Sequence, residues 1–316
     1  MPEFELTTPI AFIIFNRPDT TERVFAEIAK ARPTKLLLIG DGPRATRPGE
    51  AEKVAAARRI VEKVNWPCDV RTNFSDVNLG CTRRVASGLD WVFQQFEDAI
   101  IMEDDCLPDP TFFRFCQELL ERYRHDLRIG MISGNNFQFG RRYGEDSYYF
   151  SKYCHIWGWA TWRDRWQSAD ILEMRHWPMV RDSGRFIDLT PGNKKETLFW
   201  QQAFDKVHQR KLDAWAGPWT LANWIEGRLG IIPAVNLISN IGFGADATLT
   251  TDGESYLASM RTEPIAFPLV HPVIIARHIV ADRFGGRQFK TVPAWRTAGG
   301  KVKRKLKRIL GLSRGR

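Results

Sequence analysis

The first 135 residues alternate short apolar runs with segments whose apolar residues recur at helical spacing. Residues 9–15 form a continuous apolar run, which is typical of a strand buried on both faces of a parallel sheet. Residues 35–39 form a second run, which ends at Gly-Asp-Gly-Pro, and residues 68–74 form a third extended segment. A fourth run, residues 99–102, leads directly into three acidic residues. We predict a strand at each of these four segments.

Helices are predicted between the strands. Asp19 and Glu22 have the spacing of a capping box ahead of a helical stripe of Val24, Phe25 and Ile28. The second helix carries an apolar stripe of Val54, Ala57, Val61 and Val64, and the third covers about residues 82–96. The resulting β-α-β-α-β-α-β order predicts a doubly wound α/β sheet, in which ligands bind outside the C-terminal ends of the strands.

The pattern changes after Gly134. Nine of the twelve tryptophans lie between Trp157 and Trp224, clear strand patterns are few, and no internal repeat or low-complexity linker precedes the tail. We therefore expect a first half over residues 1–135, a second half over residues 136–290 packed against it, and a basic tail over residues 291–316.

Composition and charge exclude several classes of protein. A chain of 316 residues with 43% hydrophobic residues can bury a large core and is not disordered. The net charge of +9 lies mostly in residues 301–316, which contain eight basic side chains and no acidic one. Residues 1–300 therefore carry a net charge of only +1. We expect no nucleic-acid partner, because such partners require a basic face on the folded body.

The five cysteines are odd in number and contain no C-x-x-C pair, so neither a disulfide framework nor a zinc site is expected. The N-terminal residues lack the basic start and apolar stretch of a secretory signal, and the apolar runs of the first half are too short to span a bilayer. We expect a cytoplasmic protein.

The tail has the pattern of a basic amphipathic helix. Its cations surround an apolar stripe formed by Val302, Leu306, Ile309 and Leu310. Such a helix is suited to an anionic membrane surface, where each cation contributes about 1 kcal/mol. A disordered solubilising tail and a nucleic-acid-binding tail are the alternatives. We favour a peripheral position at the inner face of the cytoplasmic membrane.

Glu103, Asp104 and Asp105 follow the fourth predicted strand directly. Three consecutive carboxylates at the edge of a low-dielectric core repel one another, and a bound divalent cation would stabilise them. Mg²⁺ and Mn²⁺ prefer oxygen ligands and often bind through one or two carboxylates together with substrate phosphates. The alternative is a solvated acidic turn without a ligand.

Several segments taken together resemble a known family. Residues 101–108, with Asn16-Arg17-Pro18 after the first strand and Asp41-Gly42 after the second, resemble GT-A-fold nucleotide-sugar glycosyltransferases. The pattern is similar to that of a bacterial group related to the Golgi β-1,2-N-acetylglucosaminyltransferase I enzymes. Residues 158–162 and 233–244 extend the resemblance, which runs from about residue 9 to about residue 275.

The resemblance implies a GT-A-type doubly wound mixed sheet, with a nucleotide-sugar-binding half followed by a Trp-rich acceptor-binding half. It implies an inverting transferase that uses Mn²⁺ or Mg²⁺ and moves a sugar from a UDP-sugar, with UDP-N-acetylglucosamine as the candidate donor. The acceptor is expected to be a saccharide or a lipid-linked glycan in surface polysaccharide synthesis.

The resemblance also assigns roles to residues of the donor site. Asp105 is expected to be the direct metal ligand, Asp104 to lie near the ribose or donor sugar, and Glu103 to orient the donor sugar. Asp41 is expected to accept a hydrogen bond from the uracil imide. Asn16 and Arg17 are expected to contact the nucleotide, with Arg17 near the base or the phosphates.

Asn78, Arg83 and Arg84 surround a predicted helix start. Backbone donors and positive charge at this place would suit a nucleotide. An ordinary exposed helical face is an equal alternative for the two arginines.

The catalytic base is expected in the second half, because inverting transfer requires a group that takes the proton of the acceptor hydroxyl. We favour Asp213 and keep Glu226 and Glu196 as alternatives. Related proteins often carry an aspartate where this chain has Ala216, and a histidine in the segment that corresponds to residues 246–250, where this chain has Leu249.

The acceptor side is expected to include Trp157, Trp159 and Asn240, because flat indoles stack on sugar rings. Packing in the core is the alternative for each tryptophan. Two other functions stay open. A sugar nucleotidyltransferase would share the nucleotide half but usually has a Gly-rich turn after the first strand. A catalytically inactive glycan-binding or scaffold protein is suggested by Ala216 and Leu249.

Overall fold

A computed structural model describes residues 4–190, 194–243 and 257–286. The strands in these residues are β1 (Ile10–Ile14), β2 (Lys35–Gly40), β3 (Asp69–Phe74), β4 (Asp98–Glu103), β5 (Cys106–Pro108), β6 (Ile129–Ser133), β7 (Tyr148–Ser151), β8 (Trp159–Trp162), β9 (Leu229–Pro233) and β10 (Ile238–Asn240). The helices are α1 (Pro18–Ala31), α2 (Glu50–Val61), α3 (Cys81–Gln95), α4 (Thr111–Arg122), α5 (Arg163–Gln167), α6 (Trp177–Asp182), α7 (Phe186–Leu189), α8 (Lys194–His208), α9 (Ala216–Ile225) and α10 (Ile279–Gly285).

Eight strands form one mixed sheet in the order β3-β2-β1-β4-β8-β6-β9-β7. β1, β2, β3 and β4 are parallel to one another, whereas β4 and β8 pair in antiparallel orientation. A separate two-stranded antiparallel sheet joins β5 and β10. The prediction of a doubly wound mixed α/β sheet is confirmed.

The register of the parallel strands brings their C-terminal ends to one edge. Ile14 of β1 lies opposite Gly40 of β2, and Ile13 of β1 lies opposite Glu103 of β4. The segments that follow these strands therefore start side by side. This alignment places the three predicted groups of polar residues at a common edge.

Both faces of the sheet are covered, which explains the continuous apolar run of β1. Ile10, Phe12 and Ile14 belong to the core that contains α1, α2 and α4. The alternating residues Ala11 and Ile13 belong to the core on the other face, with α3 and a group of tryptophans from the second half. Successive side chains of a strand point to opposite faces, so both sets must be apolar.

The second half contributes more strands than its sequence indicates. β7, β8 and β9 complete the main sheet, so this sheet contains strands from both sides of the predicted boundary between residues 135 and 136. β7 and β8 contain only four residues each and are rich in aromatic residues. Runs of this length give little evidence of a strand, because their period cannot be told from that of a short helix.

The predicted capping box at the start of α1 is not formed. Pro18 is the first helical residue and Arg17 occupies the N-cap position, without a side-chain capping hydrogen bond. The backbone N–H of Thr21 donates to the carbonyl oxygen of Arg17 at 2.9 Å, so Asp19 lies inside the first turn. Proline suits the first helical position because its fixed φ is helical and it has no N–H to satisfy.

None of the described helices is long and apolar enough to span a membrane. The five cysteines are free. Leu249, residues 246–250 and the basic tail, for which predictions were made above, lie outside the described residues.

Candidate active site

A cavity of about 340 Å³ opens at the C-terminal edge of β1, β2 and β4. Residues 156–157 and 213–216 of the second half form its opposite wall. The cavity brings together ten of the residues selected from the sequence: Arg17, Asp41, Asn78, Arg84, Glu103, Asp104, Asp105, Trp157, Asp213 and Asn240. Five others do not line it: Asn16, Arg83, Trp159, Glu196 and Glu226.

The acidic triplet ends β4 and faces this cavity. Asp104 accepts a hydrogen bond from the backbone N–H of Phe15 at 2.9 Å, which ties it to the end of β1. Asp105 accepts one from Nη1 of Arg17 at 2.8 Å. Oε1 of Glu103 is buried and has no hydrogen-bond partner. Three carboxylates therefore meet a single arginine.

The electrostatics of the triplet follow from this imbalance. Burial raises the pKa of Glu103 and of Asp104, and the neighbouring Asp105 raises both further, whereas Arg17 opposes the shift. Burial acts to lower the pKa of Arg17, but Asp105 and Asp104 outweigh it and the pKa is raised. Ionising all three carboxyl groups would leave negative charge that Arg17 alone does not neutralise, so an additional cation would stabilise the fully ionised triplet.

The donor atoms of this corner suit a hard divalent cation. Within the described ranges, no three Asp, Glu, His or Cys side chains converge to hold a metal ion by themselves. Mg²⁺ and Mn²⁺ do not require such a cluster, since one or two carboxylates and substrate phosphates suffice. Oε1 of Glu103 has no partner, and Oδ1 of Asp105 contacts only the Cys106 thiol, at 3.4 Å. The residues present therefore fit an ion that is completed by a diphosphate.

The strand pair β5–β10 covers the ion pair of Arg17 and Asp105. The backbone N–H of Ile241 donates to the carbonyl oxygen of Asp105 at 2.8 Å. A Cβ added to Gly242 would lie 2.1 Å from Oδ2 of Asp105 and 2.5 Å from Nη1 of Arg17. Glycine is therefore required at position 242, because a larger residue would clash with this ion pair. The sequence signal for Gly242 was its place in segment 233–244, which contributes to the family resemblance.

Asn240 serves this same turn. Its Oδ1 accepts a hydrogen bond from the backbone N–H of Gly242 at 2.9 Å. Asn240 lines the cavity and was expected to contact the acceptor. The structure shows it fixing the position of Gly242 against the acidic triplet.

Asp41 holds the loop that precedes α3. Its Oδ1 accepts from the backbone N–H groups of Gly42 and Leu79, both at 2.9 Å. Its Oδ2 accepts from Nδ2 of Asn78 at 2.9 Å and from the N–H of Gly80 at 3.1 Å. An ionised carboxylate has about four acceptor positions, so these four hydrogen bonds occupy all of them. Asp41 was expected to accept from the uracil imide, but the structure shows it anchoring the 78–80 loop.

The amide of Asn78 has an orientation fixed by its neighbours. Its Nδ2 donates both to Asp41 and to the carbonyl oxygen of Gly42, each at 2.9 Å. Both partners are acceptors, so the nitrogen must face them and Oδ1 is turned away from them. Asn78 lines the cavity, and its Oδ1 takes no part in these two bonds.

Arg44 is a cavity residue that the sequence analysis did not select. Its backbone N–H and its Nε both donate to Oε2 of Glu50, at 2.7 and 3.0 Å, and its guanidinium lies 5.4 Å from the ring centre of Phe15. Asn16 donates to Oε1 of Glu50 at 2.8 Å. Asn16 thus supports Glu50, which positions Arg44. Glu50 is 5% exposed at the start of α2, and only the fold brings it next to Asn16.

Arg83 and Arg84 have different environments. Arg84 is buried, lines the cavity and donates from Nη2 to Oδ1 of Asn73 at 2.6 Å. Burial lowers its pKa, while Asp41 opposes the shift. Arg83 is exposed on α3, as expected for the alternative of an ordinary helical face.

Asp213 caps α3 from the second half of the chain. Its two carboxylate oxygens accept from the backbone N–H groups of Cys81 and Thr82, at 2.8 and 2.9 Å. Helix N-termini leave such N–H groups unsatisfied, and the helix dipole favours a negative charge there. Gly80 permits the approach, since its φ is +82° and an added Cβ would lie 2.7 Å from Oδ2 of Asp213. The cap fixes a carboxylate in the cavity wall.

The two glutamates considered as alternative bases lie elsewhere. Glu226 is exposed at the C-terminal end of α9, with Arg228 at 3.9 Å. Glu196 is 4% exposed and accepts hydrogen bonds from Lys152 and from the hydroxyl of Tyr153. Neither carboxylate lines the cavity.

The two tryptophans expected on the acceptor side also differ. Trp157 is half-buried, lines the cavity and packs against Phe137 at a ring distance of 5.1 Å. Trp159 is fully buried in β8 and stacks on Trp215 at 5.4 Å. Trp159 cannot contact an acceptor, because its indole forms part of the core on the α3 face of the sheet.

Comparisons with known proteins found structural neighbours only. The chain matches no protein-family model and no curated protein sequence. A mannosyltransferase from Pyrobaculum calidifontis in complex with GDP-Man and Mn²⁺ is similar, with 12% identity, a TM-score of 0.39, and coverage of 72% of this chain and 70% of that chain. A UDP-glucose pyrophosphorylase complexed with UDP-glucose has 10% identity, a TM-score of 0.29, and coverage of 51% and 70%. A 4-diphosphocytidyl-2C-methyl-D-erythritol synthase from Anaerococcus prevotii has 11% identity, a TM-score of 0.31, and coverage of 50% and 72%.

Proposed function

We propose that this chain is an inverting, divalent-metal-dependent glycosyltransferase that uses a UDP-sugar, with UDP-N-acetylglucosamine as the first donor to test. The acceptor is a saccharide or a lipid-linked glycan of surface polysaccharide synthesis. The observation that carries the proposal is the acidic triplet, whose three carboxyl groups share a single arginine at the C-terminal ends of three parallel strands. The cavity of about 340 Å³ lies within the range of small-molecule sites.

Asn78 and Arg44 are proposed to recognise the base. Uracil presents an N–H between two carbonyl oxygens, which calls for one acceptor flanked by donors. Oδ1 of Asn78 supplies the acceptor, because its Nδ2 is used by Asp41 and Gly42. Nη1 of Arg44 remains as a donor, because its Nε and Nη2 bind Glu50.

Arg17, Glu103 and Asp105 are proposed to hold the diphosphate end of the donor. Asp105 and Glu103 would bind Mn²⁺ or Mg²⁺, which supplies neutralising charge for the departing diphosphate when it is bound. Arg17 lies against the same carboxylate and provides a second positive charge for the phosphates. Gly242 and Asn240 keep this corner closed from one side.

Asp213 is proposed to take the proton from the acceptor hydroxyl. Its carboxylate is fixed by two backbone donors, and each oxygen retains a lone pair for the incoming proton. Trp157 offers a flat ring face in the same cavity, on which a sugar ring can stack. Inversion requires the base and the leaving diphosphate to act from opposite sides of the reacting carbon.

Calorimetry with UDP, with and without Mn²⁺, tests the donor site. We expect Mn²⁺-dependent binding that Asp105→Asn weakens by roughly tenfold or more, because one charge at a metal ligand is lost. Asp76→Asn makes the same change at an exposed position between β3 and the 78–80 loop, and should leave binding unaltered. Binding of UDP that responds neither to Mn²⁺ nor to Asp105→Asn would contradict the proposal.

Product analysis separates this activity from the two alternatives. A transferase releases UDP from a donor sugar when an acceptor is supplied. A nucleotidyltransferase would instead form UTP from the donor and pyrophosphate, and a glycan-binding or scaffold protein would bind without turnover. A thermal-shift screen of UDP-, GDP- and CDP-sugars identifies the donor, since a ligand that binds the folded state raises the melting temperature.

A further inference from the structure

The last described segment exposes a group of β-branched side chains at the edge of the sheet. Arg277 pairs with Phe150 of β7 as an isolated parallel bridge, and the N–H of His278 donates to the carbonyl oxygen of Phe150 at 2.7 Å. This part of the chain carries four strongly exposed apolar residues, which we call the 273–280 surface: Val273 (99% exposed), Ile274 (71%), Ile279 (52%) and Val280 (60%). Single exposed apolar residues are common, but four within eight positions require an explanation.

The short helix α10 combines a buried carboxylate with exposed apolar side chains. It buries Asp282, which is 2% exposed, and directs Ile279 and Val280 to the outside. Asp282 accepts from Oγ of Ser151 at 2.5 Å, from the N–H of Lys152 at 3.2 Å, and from Nε of Arg277. Burying a carboxylate is costly unless it is well hydrogen-bonded. These bonds hold α10 with its apolar residues outward, so their exposure is built into the fold.

Two exposed arginines accompany α10. Arg283 is exposed on α10, and the guanidinium of Arg141 lies 4.4 Å from the ring centre of Phe284. The chain continues beyond Gly286, and residues 301–316 add eight basic side chains without an acidic one. Exposed apolar side chains next to clustered cations match the chemistry of an anionic lipid surface.

We propose that the 273–280 surface inserts into the head-group region of an anionic membrane, whose negative charge complements the exposed Arg283 and Arg141. A second copy of the chain fits this surface less well, because symmetric pairing through α10 would bring the exposed Arg283 of each copy close together. The inference goes beyond the donor site and does not depend on it. The two proposals can therefore fail separately.

The test is co-sedimentation of the full-length protein with vesicles, in the absence of nucleotide. The vesicles contain either phosphatidylcholine alone or phosphatidylcholine mixed with phosphatidylglycerol. The variant Val273→Ser/Ile274→Ser removes two apolar side chains that make little contact with the fold. Leu127→Ser/Met179→Ser is the matched control, since these residues are 62% and 65% exposed elsewhere on the molecule.

We expect wild type and the control to bind phosphatidylglycerol vesicles equally. The Val273→Ser/Ile274→Ser variant should bind roughly tenfold more weakly or worse, given the free energy of transferring two such side chains. The difference should persist in about 0.5 M NaCl, which screens the tail. Hydrogen exchange at residues 273–280 should slow when vesicles are added to wild type.

Two results would overturn the proposal. One is equal binding of wild type and the Val273→Ser/Ile274→Ser variant to phosphatidylglycerol vesicles, with equal melting temperatures showing that both are folded. The other is a wild-type dimer in sedimentation velocity that this variant converts to a monomer, since the surface would then be covered by a second copy.

Discussion

The Asp41→Asn substitution tests whether Asp41 anchors the 78–80 loop or binds the base of the nucleotide. Asparagine keeps one oxygen and replaces the other with an NH₂ group. In either orientation the NH₂ group faces two N–H donors, namely those of Gly42 and Leu79 or those of Asn78 and Gly80. Two hydrogen bonds to a charged acceptor are then lost at a site that is 6% exposed.

The magnitude follows from these two bonds. Each hydrogen bond to a charged group contributes about 1.5 kcal/mol at the lower end of the usual range, so we expect the free energy of unfolding to fall by about 3 kcal/mol. At about 2 °C per kcal/mol for a chain of this size, the melting temperature should fall by about 6 °C. The amides of Leu79 and Gly80 should also lose protection from hydrogen exchange.

The assay is thermal unfolding of the ligand-free protein, followed by hydrogen exchange of the same variant. Asp76→Asn is the control, because it makes the same chemical change at an exposed site three residues from the loop anchor Leu79. The reasoning is refuted if Asp41→Asn abolishes UDP binding while the melting temperature stays within about 1 °C of wild type and the exchange of both amides is unchanged. Asp41 would then act on the base directly.

Three further predictions test other parts of the molecule. Asp213→Asn should lower kcat by a factor of about 10² to 10⁴ while the affinity for UDP is retained. If Asp213 only capped α3, the substitution would instead lower the free energy of unfolding by about 1 kcal/mol and change kcat little. Burial lowers the pKa of His155 to about 3, so the unfolded chain takes up a proton below about pH 6.5 while the folded chain does not. In chemical denaturation, the free energy of unfolding of wild type should therefore fall by about 1.4 kcal/mol more than that of His155→Phe between about pH 7.5 and 5.5. An equal pH dependence of the two proteins would contradict this. Gly242→Ala should weaken Mn²⁺-dependent UDP binding in calorimetry, because its Cβ would lie 2.1 Å from Oδ2 of Asp105. Gly217→Ala is the control and should bind UDP normally, because its Cβ would meet no atom closer than 3.7 Å.

Much of the first half could be predicted because its signals are local. The apolar run of β1, the acidic triplet after β4 and the helical stripes between the strands each lie within about fifteen consecutive residues. A strand buried on both faces must be apolar throughout, and a carboxylate directly after it must lie at the edge of the sheet. The parallel order of β1, β2, β3 and β4 follows from these segments and the helices between them.

The strands of the second half could not be predicted in this way. β8 is a four-residue segment with two tryptophans, and its pairing with β4 joins residues about sixty positions apart. The burial of Trp159 results from that pairing, since the next layer of helices covers its indole. A sequence shows that a tryptophan is large and apolar, but only the sheet order decides whether it lies in the core or in the cavity.

The sequence by itself determined the chemistry available at the end of each strand: three carboxylates after β4, an arginine after β1 and an aspartate after β2. The tertiary structure decided what each group does, because their partners come from distant parts of the chain. Asp41 is occupied by the loop before α3, Asn16 donates to Glu50 of α2, and Asp213 reaches the start of α3 from more than 130 residues away. Hydrogen bonds depend on positions in space to within a few tenths of an ångström. Such positions are set by the packing of whole helices and strands, which no local pattern contains.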